Sequence, residues 1–229
     1  MASKKVIYVI VEGGTDETSL NRILKKINNE KVIRFIVIRG DITSQNGTEP
    51  SNVIIKLNSF VKRDMSIYSL KKSDILQIIH VIDTDGVFVD NNRIQYKDTD
   101  NIEYTTENIY TKNVDDTIKR NEMKAAVLNK LISTENISGI PYSVYYFSSN
   151  LDHVLHNVQN ATRDEKEKLA IRFDKKYENN QEELMNFICK SDFSVCDEYK
   201  KSWDFIKSNN NSLKRYSNIA LLLKNEWNI

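Results

Sequence analysis

Apolar runs of strand length alternate with apolar stripes at helix spacing through the first part of the chain. Residues 5–11, KVIYVIV, form an apolar run after one lysine, the pattern of a strand buried on both faces. Leu20, Ile23, Leu24 and Ile27 then fall at i, i+3, i+4 and i+7, which predicts a helix to about Ile27 with Thr15 or Asp16 as its cap. Residues 32–38, VIRFIVI, repeat the buried-strand pattern and end at Arg39-Gly40-Asp41. Beyond a polar turn region at 44–50, Ser51 or Asn52 can cap a helix to roughly Phe60, with Val53, Ile54, Leu57 and Phe60 or Val61 inward. Residues 75–82, ILQIIHVI, are a third buried strand.

Strand, helix, strand, helix, strand in that order predicts a parallel sheet covered by helices. Residues 90–111 are irregular and polar and fit a loop or a short hairpin. Asp115 or Asp116 opens a long amphipathic helix to about Ile132, with Ile118, Met123, Ala126, Val127 and Leu131 on or near one face. Residues 141–147, PYSVYYF, read as a fourth strand. From Leu151 the pattern is helical almost to the end, with breaks near Asn157, Asn179–Asn180, Ser191–Asp192 and 209–211. The expected fold class is therefore α/β, a parallel sheet of about four strands flanked by helices over residues 1–150. A helical C-terminal appendage, 151–229, packs on it.

Bulk properties change this picture little. The chain has 229 residues, 33 basic and 32 acidic, for a net charge of +1, so no long-range field pulls it toward nucleic acid or membrane. Cys189 and Cys196 match neither a disulfide framework nor a zinc pattern, and two ordinary thiols fit a reducing cytoplasm. The first apolar run is too short for a signal-peptide core or a span, so a cytoplasmic protein without membrane partner is expected. His80 lies inside a buried strand and reads as core, as do Trp203 and Trp227 at helical spacing among apolar residues.

Two strand ends carry the candidate chemistry. The first strand runs into Glu12-Gly13-Gly14-Thr15-Asp16-Glu17, and the third into Asp83-Thr84-Asp85-Gly86. In open α/β sheets ligands bind outside the carboxyl ends of the strands. On an extended segment residues i and i+2 share a face, so Asp83 and Asp85 can hold one hard divalent cation, with water and phosphate completing its shell. Glu12 can be a further ligand or can move a proton. Each carboxylate also has a plainer reading. Glu12 can simply face solvent, Asp83 and Asp85 can stabilise an Asx turn, and Asp16 can be a helix cap.

Taken together, Val11-Glu12-Gly13-Gly14-Thr15-Asp16-Glu17 and, about 70 residues on, Ile82-Asp83-Thr84-Asp85-Gly86 resemble the TOPRIM domain. That domain is shared by topoisomerases, bacterial primases, the 5S-rRNA maturase, RecR-type repair proteins and OLD-family nucleases. The resemblance covers roughly residues 4–150. It implies a Mg²⁺- or Mn²⁺-dependent nuclease acting on DNA or RNA, in nucleic-acid processing or phage defence. It also implies Glu12 as general acid/base and Asp83 and Asp85 as metal ligands, with Asp16 as an added acidic ligand of the kind nuclease members carry. The chain has no GxxxxGK[ST] loop, so an ATPase would be a separate partner, and a second copy of the chain is a further candidate partner.

Other residues join this set on weaker grounds. Arg120, Lys124 and Lys130 on the long helix are either a solvated face or, for Arg120 and Lys124, groups that neutralise the scissile phosphate. Arg39 ends the second strand on the same edge. His153, with Asp152, follows the fourth strand and could protonate a leaving group, while Ser149 or Asn150 caps the next helix. Two rivals remain open: a RecR-like TOPRIM module that binds nucleic acid or protein without cutting, and sugar-nucleotide transfer through Asp83-Thr84-Asp85, which leaves Glu12-Gly13 unexplained.

Overall fold

A computed structural model of the chain describes residues 5–25, 32–195 and 197–227. In chain order its elements are β1 (Val6–Val11), α1 (Gly14–Lys25), β2 (Val32–Val37), α2 (Val53–Ile67), β3 (Ile75–Asp83), β4 (Ile94–Tyr96), β5 (Glu103–Tyr104) and β6 (Ile109–Thr111). Then follow α3 (Val114–Ile132), β7 (Asn136–Ile137), β8 (Ile140–Ser148), α4 (Leu151–His156), α5 (Arg163–Lys176), α6 (Gln181–Lys190), α7 (Tyr199–Ile206), β9 (Tyr216–Ser217) and α8 (Ile219–Trp227). The architecture is α/β, with a mostly parallel central sheet flanked by helices. The four long strands read from the sequence all form, as β1, β2, β3 and β8. Ile27, Cys196 and the side chain of Trp227 lie outside the described residues.

The chain divides into two compact units, Met1–Ile82 with Ala126–Val144, and Asp83–Ala125 with Tyr145–Ile229. The sequence pattern places a single boundary at residue 150, whereas each unit is assembled from two separate stretches. The divide falls inside α3 and inside β8. A third crossing, Ile82 to Asp83, falls at the end of β3, and the two inside α3 and β8 lack the polar or glycine-rich composition that marks a linker.

In the first unit the strand order is β2-β1-β3-β8-β7. β1 is parallel to β2, in register from Val6↔Val32 to Val11↔Val37, and parallel to β3 as far as Ile10↔His80. All six β1 residues are buried, as an apolar run covered on both faces requires. Leu20, Ile23 and Leu24 of α1 and Val53, Leu57 and Val61 of α2 are buried, while Ile54 and Phe60 are half-buried. His80 is a core residue as expected, its Nδ1 2.9 Å from the Tyr142 hydroxyl.

In the second unit residues 90–111 form more than a loop. β4 and β5 both pair with β6, the first parallel and the second antiparallel. Strands of two or three residues are too short for alternation to show. Their core contacts come from far along the chain, since Val89, Ile94 and Ile109 pack with Leu213. The helical segments end at the expected asparagines, with Asn157 left-handed after α4 and Asn180 capping α6. Between α7 and α8 the two-residue β9 pairs antiparallel with the end of β8, Phe147↔Ser217. Trp203 is buried edge-on against Tyr146, 4.9 Å between centroids. Among the described residues no helix is long and apolar enough to cross a membrane.

Gly86 is the glycine this unit needs most. Its φ is +65°, and a Cβ there would lie 2.5 Å from Leu213 Cδ2 and 3.1 Å from Ile109 Cδ1. Gly86→Ala combines left-handed backbone strain with overpacking, so it is expected to cost about 2–4 kcal/mol in a urea unfolding titration.

Candidate metal centre and its cleft

Asp83 closes β3, and the chain then turns sharply. Asp85 has φ +49° and Gly86 φ +65°, a left-handed pair that aspartate and glycine tolerate. Asp83 and Asp85 thus do not share a face by strand alternation, as an extended segment would have it. They reach the same place by the turn, and both line one cleft of about 690 Å³ within the second unit.

The turn is tied at every residue. Thr84 N donates to Phe147 O at 3.0 Å and Asp85 N to Ser149 O at 2.8 Å. The buried Thr84 hydroxyl donates to Ser212 O at 3.0 Å. Asp83 Oδ1 accepts from Leu151 N, the first amide of α4, at 2.9 Å. Lys124 Nζ donates to Asp85 Oδ2 at 2.7 Å. The Lys124 side chain is 0% exposed and that of Asp85 23%, so this ion pair runs from the interior to the cleft wall.

The part of α3 in this unit buries Thr117, Asn121 and Lys124, one polar stripe at helix spacing. Sequence periodicity points elsewhere, to Met123 and Ala126, which are exposed. The polar stripe of α3 meets Asp85, while Val114 and Ile118 of the same helix pack against Val89, Ile94, Ile109 and Leu213. Arg120 is held by Asn121 Oδ1, at 3.1 Å from Nε and 2.8 Å from Nη2, and its Nη1 donates to the Tyr104 hydroxyl at 3.4 Å. Tyr104 lines the cleft. Burial, and then the charge of Asp85, push its pKa up to about 12, so it stays a hydroxyl donor. No sequence signal marks Tyr104. It arrives through β5, and Asn160 grips its backbone N and O, each at 2.8 Å.

The cleft also holds cations that no sequence signal marks. Arg163 and Lys166, in the first turn of α5, line the cleft. Lys166 Nζ lies 3.4 Å from the carboxylate of Asp152, which is 4% exposed. Asp152 therefore anchors a lysine and is not among the cleft-lining residues. Asn150 caps α4, its Oδ1 accepting from His153 N at 2.8 Å. His153, read from the sequence as a candidate proton donor, is buried and does not line the cleft either. Its Nδ1 accepts from Ser149 N at 3.3 Å. Burial first, then the charge of Arg215, lower its pKa to about 4, so it is neutral near pH 7 and holds Ser149 in place.

The remaining candidates belong to the first unit. Glu12 is half-buried directly after β1, and its carbonyl accepts from Gly40 N at 3.0 Å. Asp16 Oδ2 accepts from Gly13 N at 2.9 Å, so it closes the N-terminus of α1 from inside the first turn. A Cβ at Gly13 would meet that oxygen at 3.3 Å, while Gly14 has open space around it. Arg39 is exposed with φ +60°, and Lys130 is exposed near the end of α3. Among the described residues no group of three or more His, Cys, Asp or Glu side chains is placed to hold a metal ion. No protein-family model, curated protein or solved structure matches the chain.

Two outcomes follow from these ties. Asp85→Ala removes the carboxylate that accepts from the buried Lys124 ammonium and is expected to cost about 3 kcal/mol or more in chelator-treated protein, while Asp83→Ala removes the acceptor of Leu151 N and is expected to cost about 1–2 kcal/mol. Adding Lys124→Met to Asp85→Ala should recover most of the larger loss in the same denaturant titration.

The pH dependence is the second. Unfolded His153 takes up a proton near 6.5 and the folded residue only near 4. Its contribution is therefore complete above about pH 6.5 and is lost as pH falls toward 4. His153→Gln should flatten the slope of unfolding free energy across that window.

Proposed function

We propose that this chain is a Mg²⁺-dependent TOPRIM-type nuclease that hydrolyses phosphodiester bonds in DNA or RNA, acting in nucleic-acid processing or phage defence. The observation that carries the reading is the cleft that Asp83, Asp85, Arg163 and Lys166 line together, with Lys124 of α3 paired to Asp85 from the interior. Carboxylates and cations lining one cleft suit a hard cation and the phosphate it neutralises.

The donor set fits Mg²⁺, which takes one or two carboxylates and keeps water and phosphate oxygens for the rest of its shell. Asp83 and Asp85 would hold it, and when bound it supplies positive charge to the phosphate oxygens. The chain's own groups would do the remainder. Lys166 and Arg163 bind the flanking phosphate charge, and Lys124 offsets Asp85 from within. Arg120 steadies Tyr104, whose hydroxyl donates into the cleft. The proton-moving role of Glu12, and any ligand role for Asp16, rest on the resemblance alone.

One observation favours the rival, a binding module that cuts nothing. The Lys124 ammonium already gives Asp85 the positive charge that a cation would bring. The two readings separate on incubation with Mg²⁺ or Mn²⁺ and plasmid, single-stranded DNA or structured RNA. Glu12→Gln and Asp83→Asn should each lower cleavage by about 10²–10³-fold, the usual loss when one charge-stabilising group is removed. Cleavage indifferent to both substitutions would sink the assignment of these residues. Retained binding with no cleavage of any substrate would establish the module.

A further inference from the structure

We propose that a small pocket where α4, α5 and α6 meet binds an aromatic anion, a single ring that carries one phosphate group. The site is separate from the cleft and does not depend on the nuclease reading. Its volume is about 160 Å³. Sites for drug-sized ligands run to roughly 300–1,000 Å³, so this one suits one substituted ring.

The apolar part of the lining is aromatic. Phe173, Tyr177 and Phe187 all contribute to it. Phe173 lies 4.9 Å from Tyr177 between centroids, and Tyr177 lies 5.7 Å from Phe187 with the two planes only 28° apart. Such a cluster offers its faces and edges to a further ring.

The polar part is basic. Arg172, Lys176 and His156 line the pocket and no carboxylate does. Arg172 is exposed and makes no hydrogen bond or ion pair among the described residues. Lys176 Nζ lies 4.7 Å from the Tyr177 centroid. His156 Nε2 is buried and has no hydrogen-bond partner among the described residues. Native structures rarely leave such an atom unsatisfied. Burial lowers the His156 pKa first, Asp152 opposes it, and the charges of Arg172 and Arg215 add to the lowering. Arg172 therefore bears on the imidazole, and a neutral imidazole with Nε2 protonated donates to the same oxyanion as the guanidinium.

The neighbouring carboxylates leave this charge in place. Asp152, 4% exposed, lies 3.4 Å from Lys166 Nζ. Glu183 lies 3.4 Å from Lys176 Nζ, but both side chains are about half exposed, and such pairs are weak. Asp174 follows Arg172 by two residues, about 200° round the helix, and does not line the pocket.

The test uses the full chain in EDTA and follows phenyl phosphate by phosphorus NMR. Phenyl phosphate should bind at least about tenfold more tightly than inorganic phosphate or phenol, because only it engages both parts of the lining. Arg172→Gln should weaken it about tenfold, the loss of one charge-assisted hydrogen bond. Glu183→Gln keeps an acceptor for Asn180 Nδ2 but releases Lys176, and should tighten binding about two- to threefold. Arg163→Gln, in the cleft, should change nothing. Opposite effects at Arg172 and Glu183 separate a binding role from damage to the fold. Equal binding of inorganic phosphate overturns the proposal, and so does equal binding of phenol. Binding that ignores Arg172→Gln, or that falls with Arg163→Gln instead, overturns it as well. So does the absence of any binding of phenyl phosphate.

Discussion

The second unit depends on the four-residue turn Asp83-Thr84-Asp85-Gly86. The turn ties its own backbone to the end of β8 through Phe147 and Ser149, and its threonine hydroxyl to Ser212. Asp83 closes the start of α4, and Asp85 draws in the buried Lys124 of α3. Gly86 leaves room for Leu213. Three stretches distant in sequence, 147–151, Lys124 and 212–213, thus converge on one bend. A carboxylate that caps a helix or neutralises a buried ammonium is already oriented before any ligand arrives, which is the preorganisation a site requires.

Charge balance gives that turn its functional meaning. A buried lysine is tolerated only with a partner, because removing its hydration costs several kcal/mol. Asp85 supplies one such partner and still lines the cleft. The ammonium holds the turn, and on the proposed reading it also offsets the negative charge of a phosphate. This is why the nuclease and the binding module both remain chemically coherent on one set of residues, and why their difference lies in cation binding and not in the fold.

Much of the framework was legible in the residues. The apolar-rich runs at 5–11, 32–38, 75–82 and 141–147 became strands, but only Val6–Val11 is buried throughout. In β2 only Ile33 and Ile36 are buried and Val32 is exposed, so the expected buried pattern there does not hold. Asparagines at 157 and 180 ended or began helices because their side chains and their tolerance of left-handed backbone act locally. The carboxylates Asp83 and Asp85 were found because two acids two residues apart at a strand end are a local signal. Tyr104, Lys166 and the polar inner stripe of α3 were not legible. Their roles come from partners at a distance, Arg120 for Tyr104, Asp152 for Lys166 and Asp85 for Lys124, and helical periodicity counts only apolar residues as inward.

The sequence by itself therefore determined the α/β order of elements and the two acidic strand ends. Both follow from short-range burial and turn chemistry. Only the tertiary structure decided the rest: the division into two discontinuous units, the left-handed geometry that brings Asp83 and Asp85 to one cleft, and the removal of His153 from that cleft into the interior. Each of these depends on which distant groups meet, and the free energy of such a meeting is written in no single stretch of the chain.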